Sequence, residues 1–376
     1  MLYNSQNQLF SLPTKIYMGY NILYNIKETQ EWGKKALIVT GKNFALKSGI
    51  VDKVQSLLKE ESVNTEKFCD VESDPCVETI DKGAKICRDL KCDCVIGIGG
   101  GSAIDAAKAI AIMAKNTGSI RDYFGEDKFA NDPLPIIAVP TTAGTGSEVA
   151  KYSVIVDWSI PNKKTISSDK ILPKISILDP TLTVSLPIDL TVFTGMDVFS
   201  HALEGYLSTG ANIFSDVLAR ESISLIAENL PLVVKNPQDL KLREKMLFAA
   251  MLAGMVINKT GTIIIHGMAY PLALKYKLQH GQANMLLLAP AVEYLREHYG
   301  EKLEALNKKL GSNVVELIKK TIKETNVKSS LREVGIKKED IPALAQAAVS
   351  SCDRAMKRMK VQVGEQDFRK IYEKAY

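Results

Sequence analysis

No run of apolar residues in the chain approaches the ~18–20 needed to cross a bilayer as a helix, so no membrane partner is expected. The opening stretch, MLYNSQNQLFSLP, carries neither a basic segment nor a long apolar one. No secretion signal is therefore expected, and the reading is cytoplasmic. Cysteines are few and poorly spaced for a metal: there are six, and Cys92 and Cys94 have one residue between them where a zinc knuckle needs two or more. They are read as reduced thiols. Blocks of one charge are also missing. The net charge of +5 is spread as scattered lysines, and clusters such as Lys308-Lys309 are short, which argues against a nucleic-acid partner. Neither a G-x-G-x-x-G fingerprint nor a Walker A loop occurs. Histidine is scarcest in the way that matters most, with four in 376 residues.

What is present suits an ordinary globular protein. Hydrophobic residues make up 46% and charged residues 24%, enough for a sizeable core, and the length suits two domains. In the first half, continuous apolar runs alternate with helical patterns. The runs are Lys15–Met18, Lys35–Thr40, Glu66–Val71, Cys94–Gly99 and Pro133–Pro140. Fully apolar strands alternating with helices predict a mostly parallel sheet covered on both faces, a dinucleotide-binding α/β domain over residues 1–186. Beyond Leu186-Pro187 the character changes. Asp189–Ser208, Phe214–Asn229, Leu242–Lys259, Ala283–Leu295, Leu303–Leu310, Val314–Thr325, Ile341–Ser351 and Asp367–Tyr376 all read as helices. Ile263-Ile264-Ile265 is too short to overturn the pattern, so residues 187–376 are expected to be an all-helical catalytic domain.

The helical half holds the chemistry. In Thr194–Tyr206, TGMDVFSHALEGY, Asp197 and His201 lie four apart in a segment of helical apolar spacing, which stacks a carboxylate and an imidazole on one face. His266 in GTIIIHGMAYP and His280 in KLQHGQANMLLLAP share an apolar, glycine-flanked setting, whereas His298 in LREHYG reads as ordinary surface. Three imidazoles and one carboxylate suit a divalent first-row metal, iron(II) or zinc, far better than calcium or magnesium. Four protein ligands with room for a substrate oxygen make a Lewis-acid centre.

The α/β half carries two loops of interest. Gly99-Gly100-Gly101-Ser102 joins a buried strand to the helix that contains Asp105 and Lys108. Its glycines let backbone amides approach an anion, and Ser102 is expected to cap the helix. Pro140–Glu148, PTTAGTGSE, follows the last strand as a hydroxyl-rich loop, with Thr141, Thr142 and Thr145 expected to line the same crevice. Lys163-Lys164 is either solvated charge or a pair reaching phosphates or ribose.

Taken together, GGGSAIDAAK, PTTAGTGSE, the Asp197/His201 segment and HGMAYP…HG resemble the iron-containing (group III) alcohol dehydrogenases, whose fold is shared with dehydroquinate synthase and glycerol dehydrogenase. The resemblance covers essentially the whole chain. It implies a nucleotide domain, a helical domain and a cleft between them. It further implies that Asp197, His201, His266 and His280 hold iron(II), with zinc as the alternative, and that Gly99, Gly100, Gly101 and Ser102 hold the pyrophosphate, with Thr141, Thr142 and Thr145 nearby. Lys164 matches a lysine that approaches the cofactor, and Asp105 is assigned to the nicotinamide side. A homodimer or larger homo-oligomer is usual in such proteins.

Three positions depart from the family pattern. Tyr270 stands where many relatives have a second histidine, and is expected to sit at the catalytic site and shape the pocket. The usual Pro-Asn-Pro reads Ser73-Asp74-Pro75, which places an acid where an amide contacts the cofactor. Gly41 ends the first strand where NAD-preferring members have aspartate. In dinucleotide folds that acid accepts the ribose hydroxyls and repels a 2′-phosphate. Gly41 removes both effects, and Lys42 and Asn43 follow as a cation and an amide, so NADP(H) is expected over NAD(H).

The activity implied is reversible hydride transfer between NAD(P)(H) and a primary alcohol or aldehyde. A same-fold lyase of the dehydroquinate synthase type would need several cations beside the metal to hold a substrate phosphate, and the flanking segments are apolar. A glycerol-type polyol dehydrogenase is the nearer alternative. A non-catalytic nucleotide sensor would have lost ligands, and all four are present.

Overall fold

A computed structural model of the chain describes residues 8–42, 47–160 and 162–376. They form two compact units. One comprises Leu12–Thr142 and Gly146–Ser185; the other comprises residues 8–11, Ala143–Thr145 and Leu186–Tyr376. Two short segments of the N-terminal half, among them three residues of the hydroxyl loop, thus cluster with the helical unit.

The α/β unit is built on strands β1 (Lys15–Met18), β2 (Lys35–Gly41), β3 (Asn64–Val71), β4 (Cys94–Gly99), β6 (Ile136–Pro140) and β9 (Ile175–Leu178), in the order β1-β9-β6-β4-β2-β3. Every pairing in this sheet is parallel, so each connection must cross over a face. Helices α1 (Ile50–Glu60), α2 (Val77–Asp89) and α3 (Gly101–Lys115) make such crossings. Successive residues of β2 alternate between the two covering cores. Leu37 and Val39 join Ile80, Ala84 and Ile110, whereas Ala36 and Ile38 join Val51, Val54 and Leu58. Burial on both faces explains why the strand reads as one apolar run. The crossover from β2 leads outward to the edge strand β3, whereas the one from β4 leads the opposite way, and β4 lies between β2 and β6. The carboxyl ends of those three strands carry Gly41, the glycine turn and Pro140-Thr141, so the sheet order gathers the proposed nucleotide residues at a topological switch point.

Four strands were not expected from the sequence. β9 is four residues long, and β7 (Tyr152–Asp157) with β8 (Asn162–Ser167) forms an antiparallel hairpin joined by the two-residue β5 (Gly125–Glu126) in a separate sheet. Short strands acquire their state from pairing, which leaves little periodic signal.

The other unit is helical: α4 (Ile188–Leu207), α5 (Ile213–Lys235), α6 (Leu240–Thr260), α7 (Ile264–Tyr276), α8 (His280–Leu310), α9 (Val314–Thr325), α10 (Ile341–Ser351) and α11 (Glu365–Ala375). Helix α4 packs against α5, α6 and α8, and it is buried almost throughout from Thr191 to Leu207. Helix α5 runs past its expected end at Asn229 and through Pro231, both of which are buried. Its start is set by reciprocal capping: Ser215 N donates to Asn212 Oδ1 at 2.9 Å, and Asn212 N to Ser215 Oγ at 2.8 Å. The two expected segments Ala283–Leu295 and Leu303–Leu310 belong to one element, α8, broken only by non-helical backbone at Tyr299. The isoleucine run becomes the start of α7, because the buried Glu204 of α4 accepts from Ile263 N at 2.8 Å and Ile265 N at 3.1 Å. A carboxylate from a distant helix thereby satisfies donors that a helix N-terminus otherwise leaves orphaned.

Candidate metal centre

Three helices of one unit supply the centre. Asp197 and His201 project from the same face of α4, His266 lies in the first turn of α7, and His280 opens α8. Gly281 is what allows that last approach: a Cβ there would lie 2.1 Å from Phe193 O and 3.2 Å from Asp197 Cβ, so any side chain would push α8 off α4. Asp197 Oδ2 lies 3.8 Å from His201 Nδ1, and Asp197 Oδ1 lies 3.5 Å from His266 Nε2 and 3.9 Å from His280 Nε2. One donor atom from each of Asp197, His201 and His266 falls within 4.8 Å of the others. The structure thus brings together all four residues expected from the sequence.

The surroundings fit a cation. Asp197 is fully enclosed, and a buried carboxylate is costly unless paired. Burial works against its charge, but His201, His266 and His280 around it hold its carboxyl well below the usual range. His201 Nδ1 is buried without a hydrogen-bond partner. Burial pushes His201 down to about 4, so its imidazole is neutral with a lone pair to offer. His266 goes the other way. Burial alone would depress it, but the charges of Glu204 and Asp197 carry it up to about 9, so a cation at Nε2 must displace a proton there. The side chain of His280 is 25% exposed while Asp197, His201 and His266 stay between 4% and 8%. The centre is closed on three sides and open on the fourth, the arrangement of a catalytic rather than a structural metal site.

In the α/β unit, Gly99 has φ +147 and a Cβ there would lie 2.8 Å from Ala103 Cβ, so only glycine makes this turn. Gly100, not Ser102, is the N-cap of α3. Ser102 sits in the first turn and its hydroxyl accepts from Asp74 N at 3.2 Å, which corrects the expected capping role. Asp74 has φ +58, and its carboxylate takes Lys163 Nζ at 2.7 Å. Lys163 is therefore a buried ion-pair partner and Lys164 the half-buried next residue of β8, facing the other side of the strand. Thr141 N donates to Gly99 O at 3.0 Å, and Thr142 packs against Gly100. Thr145 clusters with the helical unit instead, within Ala143–Thr145, where Gly144 packs on Thr194. Gly41 closes β2, Lys42 follows just beyond it, and Asn43 lies outside the described residues. Tyr270 is one helical turn beyond His266, its ring centroid 5.7 Å from that of His280.

Residues 13–180 match the family described as iron-containing alcohol dehydrogenase, and residues 191–376 match the C-terminal part of the Fe-containing alcohol dehydrogenase family. The chain belongs to the iron-containing alcohol dehydrogenases. It is 34% identical to a long-chain-alcohol dehydrogenase 1 of Geobacillus thermodenitrificans, over 97% of this chain and 95% of the relative. It is 32% identical to an NADPH-dependent butanol dehydrogenase of Clostridium saccharobutylicum, over 98% and 97%. The crystal structure of a 1,3-propanediol oxidoreductase superposes with a TM-score of 0.93 at 33% identity, covering 98% of this chain and all of the other.

This iron-containing alcohol dehydrogenase is therefore an NAD(P)-dependent enzyme, and its structure adds three residues that the sequence reading passed over. Glu204 is wholly buried one turn beyond His201 and bonds His266 Nδ1 through Oε1, the oxygen that also takes Ser200 Oγ at 2.9 Å. A carboxylate at Nδ1 holds one proton there and leaves Nε2 to face the centre. The Gly144 carbonyl serves the ring of His201 in the same way. Asn284, one turn into α8, places its amide among Asp197, His266 and His280.

Lys108, fully buried in α3, donates to Ser147 O and Oγ at 2.7 Å and to Ala150 O and Tyr152 O at 2.8 Å. Burial lowers it to about 8, with Asp105 and Glu148 opposing the shift. Asp105 accepts from Ser147 Oγ and from Val154 N at 2.9 Å, so both carboxylate oxygens are used in holding the segment after the hydroxyl loop. The signal for Lys108 was a cation three residues after Asp105 in the otherwise apolar AIDAAKAIAIMA; that for Glu204 was an acid in HALEGYL.

Proposed function

We propose that this dehydrogenase uses NADP(H) in preference to NAD(H) to interconvert an aliphatic primary alcohol and its aldehyde, with iron(II) rather than zinc at the centre. The observation that carries the activity is the convergence of Asp197, His201, His266 and His280 around a point left open beside His280. When bound, the cation supplies Lewis acidity at the substrate oxygen and the nicotinamide supplies the hydride chemistry. The chain's own residues do the rest. Asp197 and the three imidazoles bind and orient, and Glu204 keeps the proton of His266 on Nδ1. The similar proteins named above are, by their names, a long-chain-alcohol dehydrogenase, a butanol dehydrogenase and a 1,3-propanediol oxidoreductase, which supports an aliphatic alcohol as substrate.

Cofactor choice rests on Gly41. With no side chain at the end of β2 there is neither an acceptor for the ribose hydroxyls nor a charge against a 2′-phosphate, and Lys42 is exposed beside it. With butanal as substrate, kcat/KM is expected to be higher with NADPH than with NADH. Gly41→Asp should move that ratio towards NADH by about tenfold or more, the scale of one unfavourable charge contact, and Lys42→Ala should weaken NADPH alone. A Cβ at Gly41 meets Val71 O at 3.2 Å, so the variant strains the strand. The ratio of the two cofactors cancels that loss where absolute rates would not. Equal or better kcat/KM with NADH in the unmodified enzyme overturns the proposal.

Tyr270 faces the ring of His280, and a phenol of ordinary pKa about 10 relays protons poorly near neutrality. Its part is to shape the substrate pocket. Tyr270→Phe should change KM and the preference among aldehydes more than kcat. A collapse of kcat at constant KM would make the hydroxyl catalytic instead.

A further inference from the structure

Helix α3 grips the segment that follows the hydroxyl loop. Lys108 stands two turns into the helix and is wholly buried, and every other buried residue of α3 is alanine, isoleucine or methionine. Its ammonium donates to Ser147 O and Oγ at 2.7 Å and to Ala150 O and Tyr152 O at 2.8 Å. An ammonium has three protons, and these four acceptors already share them, so none is left for a phosphate. Asp105, with Oδ1 at 3.8 Å from the ammonium, supplies the countercharge. It also accepts from Ser147 Oγ and Val154 N, and its main-chain oxygen takes Ser153 Oγ at 2.8 Å. The other end of the hydroxyl loop is tied to the turn that opens the same helix. There Thr141 N donates to Gly99 O at 3.0 Å, and Thr142 packs on Gly100.

We propose that Lys108 is a positioning residue for the nucleotide: without touching it, the ammonium clamps Ser147–Tyr152 so that Thr141 and Thr142 stand preset beside the glycine turn. This role presupposes that the turn and those threonines hold the nucleotide. A dry ammonium is costly unless its protons are all used, and carbonyls enclosed in the same place are costly without a donor. Few arrangements satisfy both, so one charge at the centre fixes several carbonyls at once. An apolar side chain of equal length would fill the space and fix none of them. The segment would then sample several positions, and a nucleotide would have to order it on binding, at a cost in affinity.

The test uses the full-length enzyme carrying its metal, with NADPH and NADH as probes, each followed by its fluorescence. Lys108→Met keeps the length of the side chain and donates nothing. It is expected to raise the Kd of the tighter-binding nucleotide about tenfold or more, the scale of ordering a short segment on binding, and to lower the thermal midpoint. Its metal content should match the wild type, because the ligands belong to the other unit. Val54→Ala opens a void in the core on the other face of the sheet, so it should lower the midpoint and leave Kd unchanged. Gly100→Val puts a side chain where a phosphate would meet the turn, and should abolish binding. An unchanged Kd in Lys108→Met, beside a Gly100→Val that has lost binding, overturns the positioning role alone. So does a Kd raised equally by Val54→Ala. Where Lys108→Met fails to fold, Ser147→Ala keeps the lysine and removes the hydroxyl it shares with Asp105. Its Kd should rise about threefold, the worth of one modest hydrogen bond, and no rise overturns the same role. A Gly100→Val that binds nucleotide like the wild type overturns the nucleotide site at the turn, and the positioning role with it.

Discussion

Replacing His280 by alanine is expected to lower kcat/KM for aldehyde reduction by on the order of a thousandfold, since a catalytic cation is worth several kcal/mol at the reacting oxygen. His280 is the most informative ligand to remove because it is the most exposed of the four, at 25%. Removing His266 would strip Glu204 of its partner inside the core, and breaking a buried charge pair costs about 3–5 kcal/mol of stability. Loss of activity in that variant would mix two causes. Metal content of purified His280→Ala should fall with the activity, while NADPH binding, followed by its fluorescence, should be unchanged, because the glycine turn and Gly41 belong to the other unit. Near-normal turnover with a full complement of metal in His280→Ala would exclude the four-residue centre.

Glu204→Gln is expected to weaken metal binding by about 10–100-fold, the usual cost of losing the partner behind a metal-bound histidine. The substitution preserves shape and removes one acceptor. Ile263 N and Ile265 N both donate to Oε2, so they will hold the glutamine carbonyl, and the NH2 must then point at Ser200 and His266 Nδ1. An NH2 can only donate, which forces the remaining proton of His266 onto Nε2 and directs an N–H, not a lone pair, at the centre. The fold should survive because the α7 cap is kept. Competition with a chelator measures the affinity, and a histidine NMR spectrum of the stripped protein reports which ring nitrogen is protonated. A glutamine variant that binds metal like the wild type would show that the carboxylate serves only to cap α7.

Much of the centre was legible because its first pair obeys a local rule. Asp197 and His201 sit on one helix face by their spacing alone, and His266 and His280 stand out as rare imidazoles in apolar sequence. Glu204 lies on the same helix and passed unnoticed, since a glutamate in a helix is ordinarily solvated. What makes it exceptional is the start of α7 packed against it, and those contacts span some sixty residues of chain. Ser102 was expected to cap α3, a guess from residue type; the turn places Gly100 at that position and hands the serine hydroxyl to Asp74. The acid in Ser73-Asp74-Pro75 is in turn neutralised by Lys163, a pairing across 89 residues.

By itself the sequence determined the class of each half, the parallel α/β strands and the helical remainder, because hydrophobic period and run length follow from the geometry of a single element. It likewise determined the donor types, and with them the class of metal, because those depend on side-chain chemistry alone. The tertiary structure decided what lies between distant segments: the order of the sheet and the place of the short β9 within it, the membership of Ala143–Thr145 in the helical unit, the proton position on His266 and the amide of Asn284 among its ligands. The last two depend on which buried polar groups are left to satisfy one another once the helices have packed. A period along one chain segment carries no record of that.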